Sequence, residues 1–190
     1  VVARPNMVTR AEWGADESYW RGPVRQGSGI VAGFIHHTVN TNNYTADQVP
    51  GMLRDMFIYF TQTVGYADLP YNFLIDKYGT IYEGRRGCAP GTDATCDGPA
   101  QPNQGAHTAG FNPNTFAVSA IGSYNLASAA PAAVLVDPIA QLFAWKFAPF
   151  GTDPLGQTTY TTLAPGNTGR WPQGTTVTIP SISGHRDVGV

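Results

Sequence analysis

Lysine is almost missing from this chain. Of 190 residues only Lys77 and Lys146 carry an ammonium group, and eleven basic side chains face thirteen acidic ones, for a formal charge of -2 and a pI near 6.0. Phosphate backbones are held by clustered basic side chains, so a broad nucleic-acid footprint is excluded. Long apolar runs are missing too. No uninterrupted stretch approaches the roughly 20 residues of a membrane helix, so no membrane span and a soluble domain are expected. The opening residues VVARPNM lack the charged-then-apolar pattern of an export signal, which was either removed or lies outside this sequence. There is no internal repeat and no low-complexity tail. Cysteine occurs only twice, as Cys88 and Cys96 in the loop CAPGTDATC. The Gly, Pro, Thr and Asp of that loop permit the tight reversal a disulfide needs, and an oxidising compartment would favour one; two free thiols are the other reading. Seven intervening residues are too many for the usual zinc knuckle.

What is present suits one globular core: 42% of the residues are hydrophobic and 12% aromatic. IVAGFIHHTV (30–39) reads as a buried strand entering a polar turn at Asn40 to Asn43. Thr45 and Gln48 have capping-box spacing, and Val49, Met52, Leu53, Met56, Phe57 and Phe60 share one helical face that Gly65 ends, with Pro50 tolerable only in the first turn. YNFLIDKYGTIYEGR (71–85) reads as a hairpin turning at Lys77 to Gly79. FAVSAIGSY (116–124) is a further strand. Asp137 followed by Pro138 reads as an N-cap and first helical position, with Ile139, Leu142, Phe143 and Lys146 placing an apolar stripe beside a polar one. Residues 149–176 read as a surface excursion with a little strand, and VTIPSIS as a final strand leading into GHRDV. Interleaved strands and helices predict an α/β single domain with a central mixed β-sheet flanked by helices.

All four histidines stand at or beyond strand ends: His36 and His37, His107 in GAHTAGFN, and His185 in SGHRDV. Adjacent strand residues point to opposite faces, so at most one of His36 and His37 can face a given cleft. Two histidines converging from different strand ends, with a third ligand and a water, make a hydrolytic zinc centre; packed or surface histidines are the plainer alternative. Other hydrolytic designs lack their signatures, since neither HExxH nor G-x-S-x-G occurs, and stretches such as GSGIVAG have neither the spacing nor the lysine of a phosphate loop.

Five segments in order, VTRAEWGA (8–15), FIHHT (34–38), YNFLIDKYGTIYEGR (71–85), GAHTAGFNPNTFAVSAIGSY (105–124) and SGHRDV (183–188), make the chain resemble the peptidoglycan recognition protein and N-acetylmuramoyl-L-alanine amidase family. These are zinc amidases that cut the bond between N-acetylmuramic acid and the first L-alanine of the stem peptide. The resemblance implies Zn2+ on His36 and His185, with His37 in support or packing. It implies a catalytic Tyr71 that holds the water or the scissile carbonyl, a core aromatic in alternation with Phe73 and Ile75 being the other reading, and it makes His107, Thr38, Asn72 and Arg85 peptidoglycan or muropeptide contacts, the last three with a structural role as the alternative. Arg186 and Asp187 are expected as a buried ion pair that fixes the loop, with Asp187 as a metal ligand the alternative. The family's third ligand falls eight residues beyond His185, at position 193, past the last residue Val190; 1–190 therefore reads as an amidase domain truncated within its last zinc motif. Tyr66 and Pro70 stand where relatives have Trp and Gly. A secreted or cell-envelope setting follows from the substrate. The competing implication is a muropeptide-binding module that does not cut.

Overall fold

The computed structural model describes residues 2–87, 102–125, 133–163 and 170–189. Cys88 and Cys96, with any disulfide between them, lie outside the described residues. Among the described residues six strands form the main sheet: β1 (Met7–Val8), β2 (Ala32–His37), β3 (Phe73–Ile75), β4 (Ile81–Glu83), β5 (Thr115–Ala120) and β8 (Ile182–Gly184), in the order β1-β4-β3-β5-β2-β8. Every pairing is parallel except the β3–β4 hairpin, so the sheet is mixed. That hairpin reverses at Gly79, whose φ of +91° lies where a Cβ is disfavoured. β6 (Gln157–Thr161) and β7 (Thr176–Pro180) make a separate antiparallel ribbon.

Helices cover both faces. α2 (Val49–Ile58) follows directly on the 3-10 turn Ala46–Gln48 that the Thr45–Gln48 capping box opens, with Pro50 in its first turn. It packs Val49, Leu53, Met56 and Phe57 with Trp13 of the short α1 (Arg10–Trp13) onto Leu74, Tyr82 and Ile121. α3 (Val136–Phe147) packs Leu142, Phe143, Trp145 and Phe147 onto Phe73, Ile75, Ile81, Phe116 and Val118 of the opposite face. Central β5 is buried at all six positions because both layers press on it. Phe143 approaches so closely that a Cβ at Gly33 would lie 2.6 Å from its ring.

Three expectations are corrected. α3 begins one residue before Asp137, after a 3-10 turn at Ala133–Leu135, so Asp137 lies in the first turn rather than at the cap. Lys146 is buried, its Nζ 5.1 Å from the Trp145 ring, not on a polar stripe. The single strand predicted over VTIPSIS is two, broken at Ser181, so that β7 serves the ribbon and β8 the main sheet.

One strained residue sits beyond β2. Val39 has φ +62° and is exposed; a β-branched residue there costs about 1–2 kcal/mol, which asparagine largely avoids. Val39→Asn should raise the unfolding free energy by about 1 kcal/mol, read as a higher midpoint in urea; a lower midpoint would refute the strain.

Candidate functional site

β2 is the middle of three parallel strands, with Ile35 opposite Gly184 and His36 opposite Ser119. The strand alternation sends His36 and His37 to opposite faces. His37 faces the α3 side, where Nδ1 accepts a hydrogen bond from Tyr124 N at 3.0 Å. His36 lies on the other face, among Phe34, Tyr71 and His107. Because Gly184 ends β8 beside Ile35, the next residue, His185, opens the four-residue α4 (His185–Val188) alongside His36. Their Nδ1 atoms face each other at 3.2 Å.

That spacing is informative. Two nitrogens each about 2.0–2.1 Å from one tetrahedral zinc ion sit roughly 3.3–3.4 Å apart, so the pair fits a shared zinc with almost no rearrangement. Among the described residues no group of three His, Cys, Asp or Glu side chains surrounds a common point. Burial, then the neighbouring His185 and His37, lower the His36 pKa to about 3, so that it stays neutral and retains a lone pair. Burial likewise holds His107 well below its ordinary value.

Tyr71 precedes β3, its ring centroid 5.4 Å from that of His36. Burial pushes its phenol above the ordinary pKa, Ser119 opposing part of the rise. Among the described residues the buried Ser119 Oγ has no hydrogen-bond partner of ordinary geometry. Next to Tyr71 opens a cleft of about 400 Å3. Thr38 and Asn40 line it from the end of β2; Met52, Asp55, Met56, Tyr59 and Phe60 line it from α2 and the six-residue π-helical turn Tyr59–Val64 that follows. The size suits a small-molecule or peptide site, and π-turns recur at functional sites.

The remaining expected contacts separate. Thr38 lines the cleft while its Oγ1 accepts from Gly122 N at 3.0 Å. Asn72 is buried, with Nδ2 donating to Asn103 O and Oδ1 accepting from Ala117 N, both at 2.9 Å. Arg85 donates from Nη1 to Leu69 O at 2.8 Å. His107 is 7% exposed, and both ring nitrogens face threonine hydroxyls inside the protein. The expected buried Arg186–Asp187 ion pair is not formed: both residues are exposed, and Asp187 Oδ2 instead accepts from Gly184 N at 2.6 Å, closing the first turn of α4.

Sequence reasoning missed Asp55 of α2 and Tyr59 just beyond it, which line the cleft beside Met52 but fall outside the apolar face read from the sequence. It also missed Asn112, whose Oδ1 accepts from the N–H groups of His107 and Thr108 and fixes that turn.

Residues 26–189 match the family described as N-acetylmuramoyl-L-alanine amidase. Over 119 residues the chain is 33% identical to peptidoglycan-recognition protein SC1a/b of Drosophila simulans, covering 63% of this chain and 56% of that protein. Human N-acetylmuramoyl-L-alanine amidase is 29% identical over 134 residues, 68% of this chain and 20% of that protein. The chain thus spans little more than half the length of the fly relative. Among solved structures, Drosophila peptidoglycan recognition protein SD has a TM-score of 0.67 at 20% identity, covering 98% of this chain and 86% of that one. Human PGRP-IBETAC, in complex with glycosamyl muramyl pentapeptide, has a TM-score of 0.67 at 22% identity, with coverages of 98% and 88%. At such identities the likeness is one of fold.

Proposed function

The chain belongs to the N-acetylmuramoyl-L-alanine amidase family, and on that premise we propose that it is a zinc-dependent amidase cleaving peptidoglycan between N-acetylmuramic acid and the first L-alanine of the stem peptide. The observation that carries this reading is the pair of Nδ1 atoms of His36 and His185 facing at 3.2 Å beside Tyr71. His36 and His185, with a third ligand that the resemblance puts at position 193, would hold a zinc ion, which when bound would supply Lewis acidity at the scissile amide. Neutral His36 offers its lone pair without first losing a proton. Tyr71, its phenol pushed up by burial, stays protonated and donates to the oxygen on which negative charge develops. The cleft flanked by Thr38, Asn40 and Tyr59 takes the muropeptide. We assign residues 1–190 to one peptidoglycan recognition and amidase domain acting where peptidoglycan lies, secreted or in the cell envelope.

A second reading, binding of muropeptide without cleavage, is favoured by one observation: only two histidines share a metal-sized gap among the described residues. It predicts affinity that survives chelation. The test is release of L-alanine N-termini from peptidoglycan, with zinc and with chelator, by this chain and by a form extended past position 195. The amidase reading expects metal-dependent release from the extended form and a loss of about 10²–10³ in kcat for Tyr71→Phe with an unchanged unfolding midpoint. Absence of metal-dependent release from the extended form refutes it.

A further inference from the structure

We propose that Thr108, His107 and Thr115 form a one-directional hydrogen-bond chain whose purpose is to fix buried His36 in the tautomer that leaves Nδ1 unprotonated and turned toward His185. At the far end of the chain only one direction is possible. A carbonyl oxygen accepts and never donates. Thr115 Oγ1 lies 2.5 Å from Phe111 O and 3.2 Å from Asn112 O, so its one hydrogen is committed to those carbonyls. Toward His107 Nε2, at 3.4 Å, Thr115 Oγ1 can then offer only a lone pair, and Nε2 must carry the proton. A neutral imidazole has one N–H, so His107 Nδ1 is bare and accepts from Thr108 Oγ1 at 3.0 Å. That donation spends the hydrogen of Thr108. Its oxygen therefore accepts from His36 Nε2, at 3.2 Å, which places the His36 proton on Nε2 and leaves the Nδ1 lone pair facing His185 at 3.2 Å.

The reverse direction would set an unprotonated His107 Nε2 against an oxygen with no hydrogen to give, inside a site with 7% exposure, where an unsatisfied polar atom costs about 1–3 kcal/mol. It would also put the His36 proton on Nδ1, filling the gap between the two histidines with a hydrogen. The constraint falls on His36 because it is buried; His185 is exposed and can exchange its proton through solvent. Thr108 is thus a positioning residue for His36, and His107 transmits the orientation instead of holding a ligand itself. The consequence for zinc rests on the amidase reading, whereas the tautomer assignment does not.

The experiment measures imidazole nitrogen chemical shifts of the isotope-labelled, metal-free protein at neutral pH, together with zinc affinity by competition with a chromogenic chelator. In the wild type, His36 and His107 should both show protonated Nε2 and unprotonated Nδ1. Thr108→Val deprives His36 Nε2–H of its acceptor, and the proton should move to Nδ1, where His185 can accept it; Thr108→Ser should restore the wild-type pattern. Zinc affinity should fall about 10–100-fold in Thr108→Val and recover with serine. A wild-type spectrum with the proton on Nδ1 of either histidine overturns the proposal, as does a folded Thr108→Val protein with an unaltered His36 pattern. The wild-type spectrum decides the direction even should the valine variant fail to fold. The predicted shifts in a protein that takes up no zinc, in its extended form as well, would uphold the chain and count against the amidase reading alone.

Discussion

Alanine at position 36 is expected to abolish zinc retention and metal-dependent L-alanine release in the form extended past position 195, while alanine at position 37 leaves both in place. The two residues are neighbours in sequence and chemically identical, so the contrast isolates the face of β2 each occupies. His36 Nδ1 shares a gap of 3.2 Å with His185; its loss should exceed the roughly 10–100-fold penalty of removing a group that merely orients a ligand. His37 accepts one hydrogen bond from Tyr124 N and packs on the Tyr124 ring, so His37→Ala should cost about 1–2 kcal/mol of stability with zinc affinity unchanged. Calorimetric zinc titration and urea unfolding of both variants separate the two effects. Zinc binding lost with His37 and kept without His36 would mean that the strand presents the opposite face to the metal.

The second large effect lies away from the cleft. Arg10 is buried beneath α2, its guanidinium 4.7 Å from the Phe57 ring. It makes a two-pronged contact with Glu17, at 2.8 and 2.9 Å, a bond to Asp68 at 3.0 Å and another to Gly84 O. Burial alone would lower its pKa, but Glu17 and Asp68 outweigh that and hold it above the ordinary value. Asp68 is 1% exposed, and burial raises its pKa above the ordinary carboxylate value; Arg10 and the N–H groups of Arg86 and Leu69, whose hydrogen bonds it accepts, oppose that rise and favour the ionised form. Arg10→Ala would leave that carboxylate without its directly bonded cation, with only the more distant charge of Arg85 acting on it, and removing one partner of a buried pair costs about 3–5 kcal/mol. Urea unfolding should register the loss, and Arg10→Ala combined with Asp68→Asn should recover part of it. A change below about 1 kcal/mol, the ordinary worth of an exposed pair, would show that the network is solvated.

Local chemistry made much of the fold legible before any coordinates. The capping box at Thr45 and Gln48, the reversal at Gly79 and the stop at Gly65 each depend on a few adjacent residues, and each is present. The break in VTIPSIS was not legible, because it arises where one run of chain leaves the ribbon with Gln157–Thr161 and joins β2, a matter of tertiary partners. Lys146 misled for a similar reason: its charge suggested a surface, while its position three residues after Phe143 on α3 set it among Phe73 and Trp145. At the site, strand alternation separated His36 from His37 correctly in direction. The roles of Thr108, Thr115 and Asn112 could not be read from GAHTAGFNPNT, since hydroxyls and amides acquire a function there only through which lone pairs the turn aims at them. Arg186 and Asp187 suggested a buried pair by adjacency, yet consecutive residues in a helical turn point apart, and the carboxylate was drawn to the free N–H of Gly184.

The most direct measurement is anomalous diffraction at the zinc absorption edge from crystals of the extended form grown with the metal. One strong peak is expected within about 2.1 Å of Nδ1 of both His36 and His185, beside the Tyr71 hydroxyl. A peak on His37 or His107, or histidines at 36 and 185 that share no metal while the protein still releases L-alanine, would contradict it.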